Sequence, residues 1–181
     1  MNGVWFTAAV NQSGQLVACA FSDRNGHEPE EAVKETVPVD FRAENNSAIN
    51  KRLQQLFSLF LGKGKTSLND LDLSRVSDFR RRVYFQLHRI PRGKVTTYGA
   101  IARRLGSKTY SRAVGTATAT NPLPLVIPCH RVVPASLIIS NYGMPGMKSS
   151  DGAYMKRALL TREGVKLVDG RVSEECLWSP D

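Results

Sequence analysis

The sequence predicts an α+β protein in two parts: a small N-terminal α/β domain over residues 1–76, and a mainly helical, winged-helix-like helix-turn-helix domain over residues 77–181. Three observations predict it. Apolar residues alternate near the N-terminus and then recur at helical spacing. Further on, two short helical patterns sit either side of a tight turn. The charge balance also changes abruptly near residue 77: residues 1–77 hold 8 Lys/Arg against 9 Asp/Glu, and residues 78–181 hold 17 against 7.

The alternating runs Val4 to Val10 and Gln15 to Phe21 flank Asn-Gln-Ser-Gly and read as a β-hairpin. From Ser47, the residues Ile49, Leu53, Leu56, Phe57 and Phe60 line one helix face, which Gly62 can end. The stretch Gly62 to Ser77, glycine- and lysine-rich at its start, reads as a linker. Ser77 is placed to cap the next helix, with Asp78 at its positive end, Phe79, Val83, Leu87 and Ile90 on one face, and Pro91 as the stop. Thr97 can cap a short helix through Tyr98, Ile101, Ala102 and Leu105 to Gly106. Another helix starts near Ser111, and a last one runs from Ala153 to Arg162 before Gly164.

Composition narrows the function. With 41% hydrophobic, 23% charged and 8% aromatic residues, disorder and collagen-like architecture are excluded. The net charge is +9, and between Asp78 and Asp151 twelve basic residues occur with no acidic one. A polyanion partner explains this, because basic patches bind phosphate backbones by releasing condensed counterions; a solvated basic face is the alternative. The helix after Ser111, Arg-Ala-Val-Gly-Thr-Ala-Thr-Ala-Thr, carries one charge and almost only small side chains. It lacks the long polar groups that read base edges in a major groove, so it suits close approach and minor-groove contact; tight packing against neighbours is the bland alternative.

Cysteines occur at 19, 129 and 176, too few and too scattered for a disulfide framework or a zinc knuckle. The expectation is a reducing compartment, with no basic n-region, no apolar run near 18 residues and no membrane partner. Cys19 reads as a small core residue, Cys176 has no readable role, and His27 and His88 read as surface residues. Cys19 and His27 alone cannot form a metal site, and Gly62-Lys-Gly-Lys is too short to cradle phosphate, so no metal and no cofactor are expected.

The chemistry concentrates in Asn121-Pro-Leu-Pro-Leu-Val-Ile-Pro-Cys-His-Arg-Val-Val133, read as an extended apolar run with Cys129 and His130 at its end. A thiolate is a strong soft nucleophile, but an ordinary thiol is only about 3% ionised at neutral pH, so it needs a base or a nearby positive charge. Neighbours in a strand point to opposite faces, so contact between Cys129 and His130 requires a turn, which Pro128 can supply, or a bridging water. Glu163 is a candidate to orient the imidazole.

Ile-Pro-Cys-His-Arg-Val-Val, with Asn-Pro-Leu-Pro and Arg-Ala-Val-Gly before it, Thr-Thr-Tyr-Gly upstream and Leu-Leu-Thr-Arg-Glu-Gly downstream, closely resembles the O6-alkylguanine-DNA alkyltransferase family over residues 77–167. The resemblance implies a protein, acting alone as a monomer in the cytoplasm or a eukaryotic nucleus, that binds double-stranded DNA through its minor groove. It would flip out O6-alkylguanine, with O4-alkylthymine as an alternative substrate, and transfer the alkyl group irreversibly to Cys129. By the same resemblance His130 takes the thiol proton through a water, Glu163 supports the imidazolium and Asn121 braces the turn. Tyr98 crowds the target phosphate and donates toward guanine N3, and Arg112 fills the gap left in the base stack. Ala113, Gly115, Thr116, Arg103 and Lys108 complete the DNA contact. Main-chain carbonyls near Cys129 and Val132 accept from the guanine amino group, and Pro124 and Tyr142 line the pocket. Two departures stand out: the segment after Tyr142 is longer than the usual glycine-rich loop, and Ala119 replaces a larger or basic residue. A non-catalytic module that recognises alkylated bases and a cysteine hydrolase using Cys129, His130 and Glu163 are the competing readings.

Overall fold

The computed structural model describes residues 4–22, 29–34, 36–37, 45–143 and 149–180. They divide into two compact units. The first takes the described residues up to Arg75 together with Pro122–Val126; the second takes Val76–Asn121, Ile127–Gly143 and those from residue 149 onward.

In the first unit, β1 (Trp5–Val10) and β2 (Leu16–Ser22) form an antiparallel hairpin, with Phe6 opposite Phe21 and a register shift between Ala9 and Val10. Asn11 closes the loop by accepting from the Ser13 and Gln15 amides. One face carries Ala9, Ala18 and Ala20, small enough for Val33 of α1 (Pro29–Lys34) to pack directly on them. The other sets Phe6 and Phe21 against Phe60 of α2 (Ser47–Phe60), with ring centroids 5.6 Å apart in both pairs. Asn46 caps α2 by accepting from the Ile49 amide, and Gly62 lies beyond its end with φ +70°.

The stretch expected to be a linker is largely part of this unit. Ser67 and Asp70 form a capping box, Asp70 pairs with Arg52 at 2.9 Å, and buried Leu71 bridges to Leu16. Apolar Leu71 and charge pairing hold the second half of the segment down where its glycines and lysines had suggested a free tether.

The second unit starts with α3 (Asp78–His88), whose Ser77 occupies the cap position but makes no capping bond through its side chain. Next come β3 (Thr96–Thr97), α4 (Tyr98–Arg104) and α5 (Ser111–Ala119). Thr97 caps α4 by accepting from the Ala100 amide at 3.1 Å. Gly106, at φ +114°, breaks the chain between α4 and α5, giving the helix-turn-helix. β4 (Val132–Val133) pairs in parallel with β3, placing Thr96 beside Val132, so Tyr98 begins its helix next to the chain that leaves Cys129. α6 (Ser149–Arg162) and the hairpin of β5 (Leu167–Val168) with β6 (Arg171–Val172) complete the unit. Val95, Val133, Leu160, Val165 and Val172 form an apolar cluster within it. Among the described residues no helix is long and apolar enough to cross a membrane.

Candidate active site

The sequence predicts an extended run over Asn121–Val133, but the structure is extended as a strand only at Val132–Val133. Pro122, Pro124 and Pro128 remove backbone donors, and Leu125 sits at φ +70°, a region non-glycine residues rarely adopt, so the segment is a bent loop. Pro128, at φ −78° and ψ 63°, is the centre of an inverse γ-turn closed by the Cys129 amide on the Ile127 carbonyl at 2.8 Å. A single 3-10 turn, Cys129–Arg131, follows, and the Val132 amide closes it on the Cys129 carbonyl. Successive side chains on such a turn diverge by about 120°. Cys129 therefore points away from His130, whereas the long Arg131 side chain bends back to meet His130 at Glu163.

Cys129 is buried. The Asn121 side-chain amide donates to its sulfur at 3.0 Å and to the Ile127 carbonyl at 2.9 Å, tying both arms of the bend together. The Tyr142 hydroxyl lies 3.7 Å from the same sulfur. Burial pushes the thiol up, while the Asn121 and Tyr142 contacts and the charge of Lys156 pull it back toward ionisation. The resting group is a neutral thiol that accepts from Asn121 and donates to the Tyr142 hydroxyl.

His130 turns away to Glu163: its Nε2 lies 3.0 Å from the Glu163 carboxylate, with the imidazole only 1% exposed. Burial holds the imidazole below its ordinary value, against the pull of Glu163. Burial alone would raise the Glu163 carboxyl, yet its bonds to His130 and Arg131 push it down to about 2. Ionised Glu163 therefore accepts from a protonated Nε2, which leaves Nδ1 as the basic nitrogen. Nδ1 is buried and has no hydrogen-bond partner among the described residues.

Glu163 owes its position to the end of α6. Val165 donates to the Leu160 carbonyl and Gly164, at φ +84°, to that of Thr161, the paired bonds of a Schellman motif with Glu163 as the cap residue. Leu160 and Val165 join the same apolar cluster, as this motif requires.

The structure brings Cys129, Asn121 and Tyr142 together and separately joins His130 to Glu163. Tyr98 is half-buried at the start of α4; burial raises its phenol, which has Ser140 and Thr118 as hydrogen-bonding neighbours. Arg103, Lys108, Arg112, Ala113, Thr116 and Ala119 are exposed, and a Cβ at Gly115 would meet nothing within 4 Å. The inward face of α5 consists of Val114, Ala117 and Thr118. Most of the small side chains of α5 therefore line its open face, so close internal packing is not why they are small.

Val132 is buried, and its carbonyl accepts from Lys156 Nζ at 2.7 Å. Pro124 packs in the first unit, where its carbonyl accepts from the buried Cys19 thiol at 3.3 Å. His88 is half-buried where a surface position was expected, and Cys176 is buried. His27 and residues 144–148 of the long segment after Tyr142 lie outside the described residues.

Three further groups escaped the sequence reading. Arg131 holds Glu163 with two bonds of 2.7 Å. Lys156, 1% exposed, is pushed down to about 8 by burial, with the Cys129 charge acting the other way. Its signal was visible: Lys156 lies in register with Leu160 and beside Met155 and Leu159 on the apolar face of a helix, where a lysine is costly. Tyr84, fully buried in α3 and pushed up to about 12 chiefly by burial, donates to the Ala117 and Thr120 carbonyls and so anchors the end of α5 just before Asn121.

Together these features define a helix-turn-helix protein with a buried cysteine, histidine and glutamate centre built into the helical unit. A family model described as the 6-O-methylguanine DNA methyltransferase DNA-binding domain matches residues 78–165. The methylated-DNA–protein-cysteine methyltransferase of Sulfolobus acidocaldarius is 41% identical over 129 residues, 69% of this chain and 76% of that one. That of Mycolicibacterium paratuberculosis is 42% identical over 100 residues, and the match spans 60% of its length. The Mycobacterium tuberculosis OGT solved in complex with DNA superposes with a TM-score of 0.68 at 30% identity, covering 87% of this chain and 85% of that one. The O6-methylguanine-DNA methyltransferase of Pyrococcus kodakaraensis gives a TM-score of 0.67, also at 30% identity, covering 90% and 92%. The chain belongs to the methylated-DNA–protein-cysteine methyltransferase family.

Proposed function

We propose that this protein repairs O6-alkylguanine in double-stranded DNA by moving the alkyl group to Cys129, once per molecule and irreversibly. The observation that carries the reading is the buried Cys129 sulfur, which accepts from Asn121 and donates to the Tyr142 hydroxyl, on the same turn as a Glu163-oriented imidazole. The mycobacterial relative solved with DNA supports a DNA substrate.

The thiol proton passes through one water to His130 Nδ1, and the imidazolium is supported by Glu163. The sulfur lone pair then forms a bond to the alkyl carbon as the carbon–O6 bond breaks, and its electrons pass into the guanine. Tyr98, protonated because its phenol is raised, supplies the purine with a proton at N3. The proton held on His130 restores the phenol, so the thiol proton ends on guanine and a thioether remains. A thioether has no good leaving group, which makes the reaction stoichiometric.

The target base must leave the stack first, since its O6 substituent is otherwise enclosed by the duplex. Arg112, exposed on the first turn of α5, is the group to occupy the gap, and the small outward residues Ala113, Gly115 and Thr116 let the helix backbone approach the minor groove. Arg103 and Lys108 supply phosphate contacts, which carry no sequence preference. Tyr142 and the Val132 carbonyl are assigned to the pocket, and O4-alkylthymine is the alternative substrate. Residues 77–181 thus carry binding and chemistry, with residues 1–76 as a separate domain, in the cytoplasm or a eukaryotic nucleus.

Incubation with O6-benzylguanine followed by intact mass spectrometry and peptide mapping tests the reading. One benzyl group on Cys129 supports it; repeated turnover would indicate a hydrolase, and DNA binding with no adduct a recognition module.

A further inference from the structure

The carboxylate of Glu163 serves two partners. One oxygen lies 3.0 Å from His130 Nε2; both oxygens also accept from Arg131, Oε2 from Nε and Oε1 from Nη2, each at 2.7 Å. Arg131 is itself held in place, since its Nη1 donates to the Ile90 carbonyl at 2.7 Å. This is the planar, two-pronged geometry for which a guanidinium is suited and an ammonium is not. The side chains of Arg131 and Glu163 are 14% and 7% exposed, so water screens the pair little.

An unshared carboxylate against an imidazole favours the imidazolium. A histidine already protonated cannot take a proton from a thiol. Glu163 also caps the C-terminal end of α6, where the helix dipole disfavours a negative charge. Both difficulties are met by a cation on the same carboxylate.

We propose that Arg131 is a positioning residue of the acceptor site: by holding both oxygens of Glu163, it lets the carboxylate orient His130 without charging it in advance. The carboxylate fixes the tautomer and leaves Nδ1 free as the base, and its remaining attraction acts once the proton has arrived. The other groups that bear on the imidazole are Lys156 from α6, whose charge also disfavours the imidazolium, the Tyr142 ring at 6.1 Å, edge-on, and Cys129 on the same turn. Burial and the Arg131 charge act in the same direction, holding the imidazole low. This role rests on the alkyl-acceptor reading only for its catalytic consequence, because the state of His130 can be read without any substrate.

The test has two arms. In the first, the rate of Cys129 benzylation by O6-benzylguanine is followed against pH for the unaltered protein, Arg131→Met and Arg131→Lys. In Arg131→Met the acid limb should move up by about one pH unit, which is about tenfold slower reaction on that limb, with the alkaline plateau little changed. Arg131→Lys should recover part of the shift, because it restores the charge without the fork. A uniform slowing with the limb unmoved would overturn the proposal and leave Arg131 a structural residue. The second arm needs no variant: carbon-detected NMR of His130 in the unaltered protein should show a neutral ring down to a pH below the ordinary histidine value of about 6.5. Titration at or above that value would overturn the proposal, even if Arg131→Met fails to fold. Absence of any benzyl adduct would instead sink the acceptor reading and leave the NMR result to decide the role of Arg131.

Discussion

Gly152 lies against the main chain of Tyr142 so closely that a Cβ at position 152 would stand 2.5 Å from the Tyr142 carbonyl oxygen and 2.8 Å from its nitrogen. The residue whose hydroxyl faces the Cys129 sulfur is thus backed by the first turns of α6, and only glycine leaves room. Backbone cannot swing aside as a side-chain tip can, so Gly152→Ala should displace Tyr142. The expected result is a folded protein with a lower melting temperature and slower benzylation of Cys129; unchanged kinetics would show that Tyr142 does not shape the pocket.

Asn121 secures the bend through two buried bonds. Asn121→Ala leaves the Ile127 carbonyl without its side-chain donor and removes one donor from the sulfur, and should cost about 1–3 kcal/mol by chemical denaturation. Its alkylation should slow at neutral pH and recover in alkaline buffer, where ionisation no longer depends on that donor. A rate deficit unaffected by pH would contradict the role.

The open face of α5 separates stability from binding. Glycine inside a helix costs roughly 0.5–1 kcal/mol relative to alanine, and a Cβ at position 115 would meet nothing within 4 Å. Gly115→Leu should therefore melt at the same or a higher temperature while binding duplex DNA more weakly, as measured by fluorescence anisotropy. Full DNA affinity would place the duplex elsewhere.

Acid should reach the site through Glu163, whose carboxyl is held at about 2. In the unfolded chain a glutamate titrates near 4.3, so the folded state binds fewer protons in between. The stability this supplies is complete above about 4.3 and is lost as pH falls through about 2. Glu163→Gln should lower stability at pH 7 and show a flatter decline between those limits; identical slopes would mean that the carboxylate contributes nothing.

Much of this was legible in the sequence. The hairpin, the capped helix at Thr97 and the Glu163–Gly164 stop follow from local rules, and Pro-Cys-His-Arg marks the chemistry. What was not legible depends on chain reversals. The run before Cys129 looked extended because its residues are apolar and proline-rich; the positive φ of Leu125 and the γ-turn at Pro128 are set by packing and by Asn121, which no pattern of hydrophobicity encodes. The grip of Arg131 on Glu163 joins residues 32 apart in sequence, and the burial of Lys156 against Val132 joins residues 24 apart. Such partnerships leave only an oddity in the sequence, here a lysine on an apolar helix face. Conversely, the small residues of α5 were legible but ambiguous until the structure showed which way they face.

The most direct measurement supplies duplex DNA containing O6-methylguanine with an isotopically labelled methyl group and follows the label. The account predicts a burst that stops at one methyl per chain, all of it on Cys129, with guanine restored in the DNA. Label released to solvent, found on another residue, or transferred more than once per chain would contradict it.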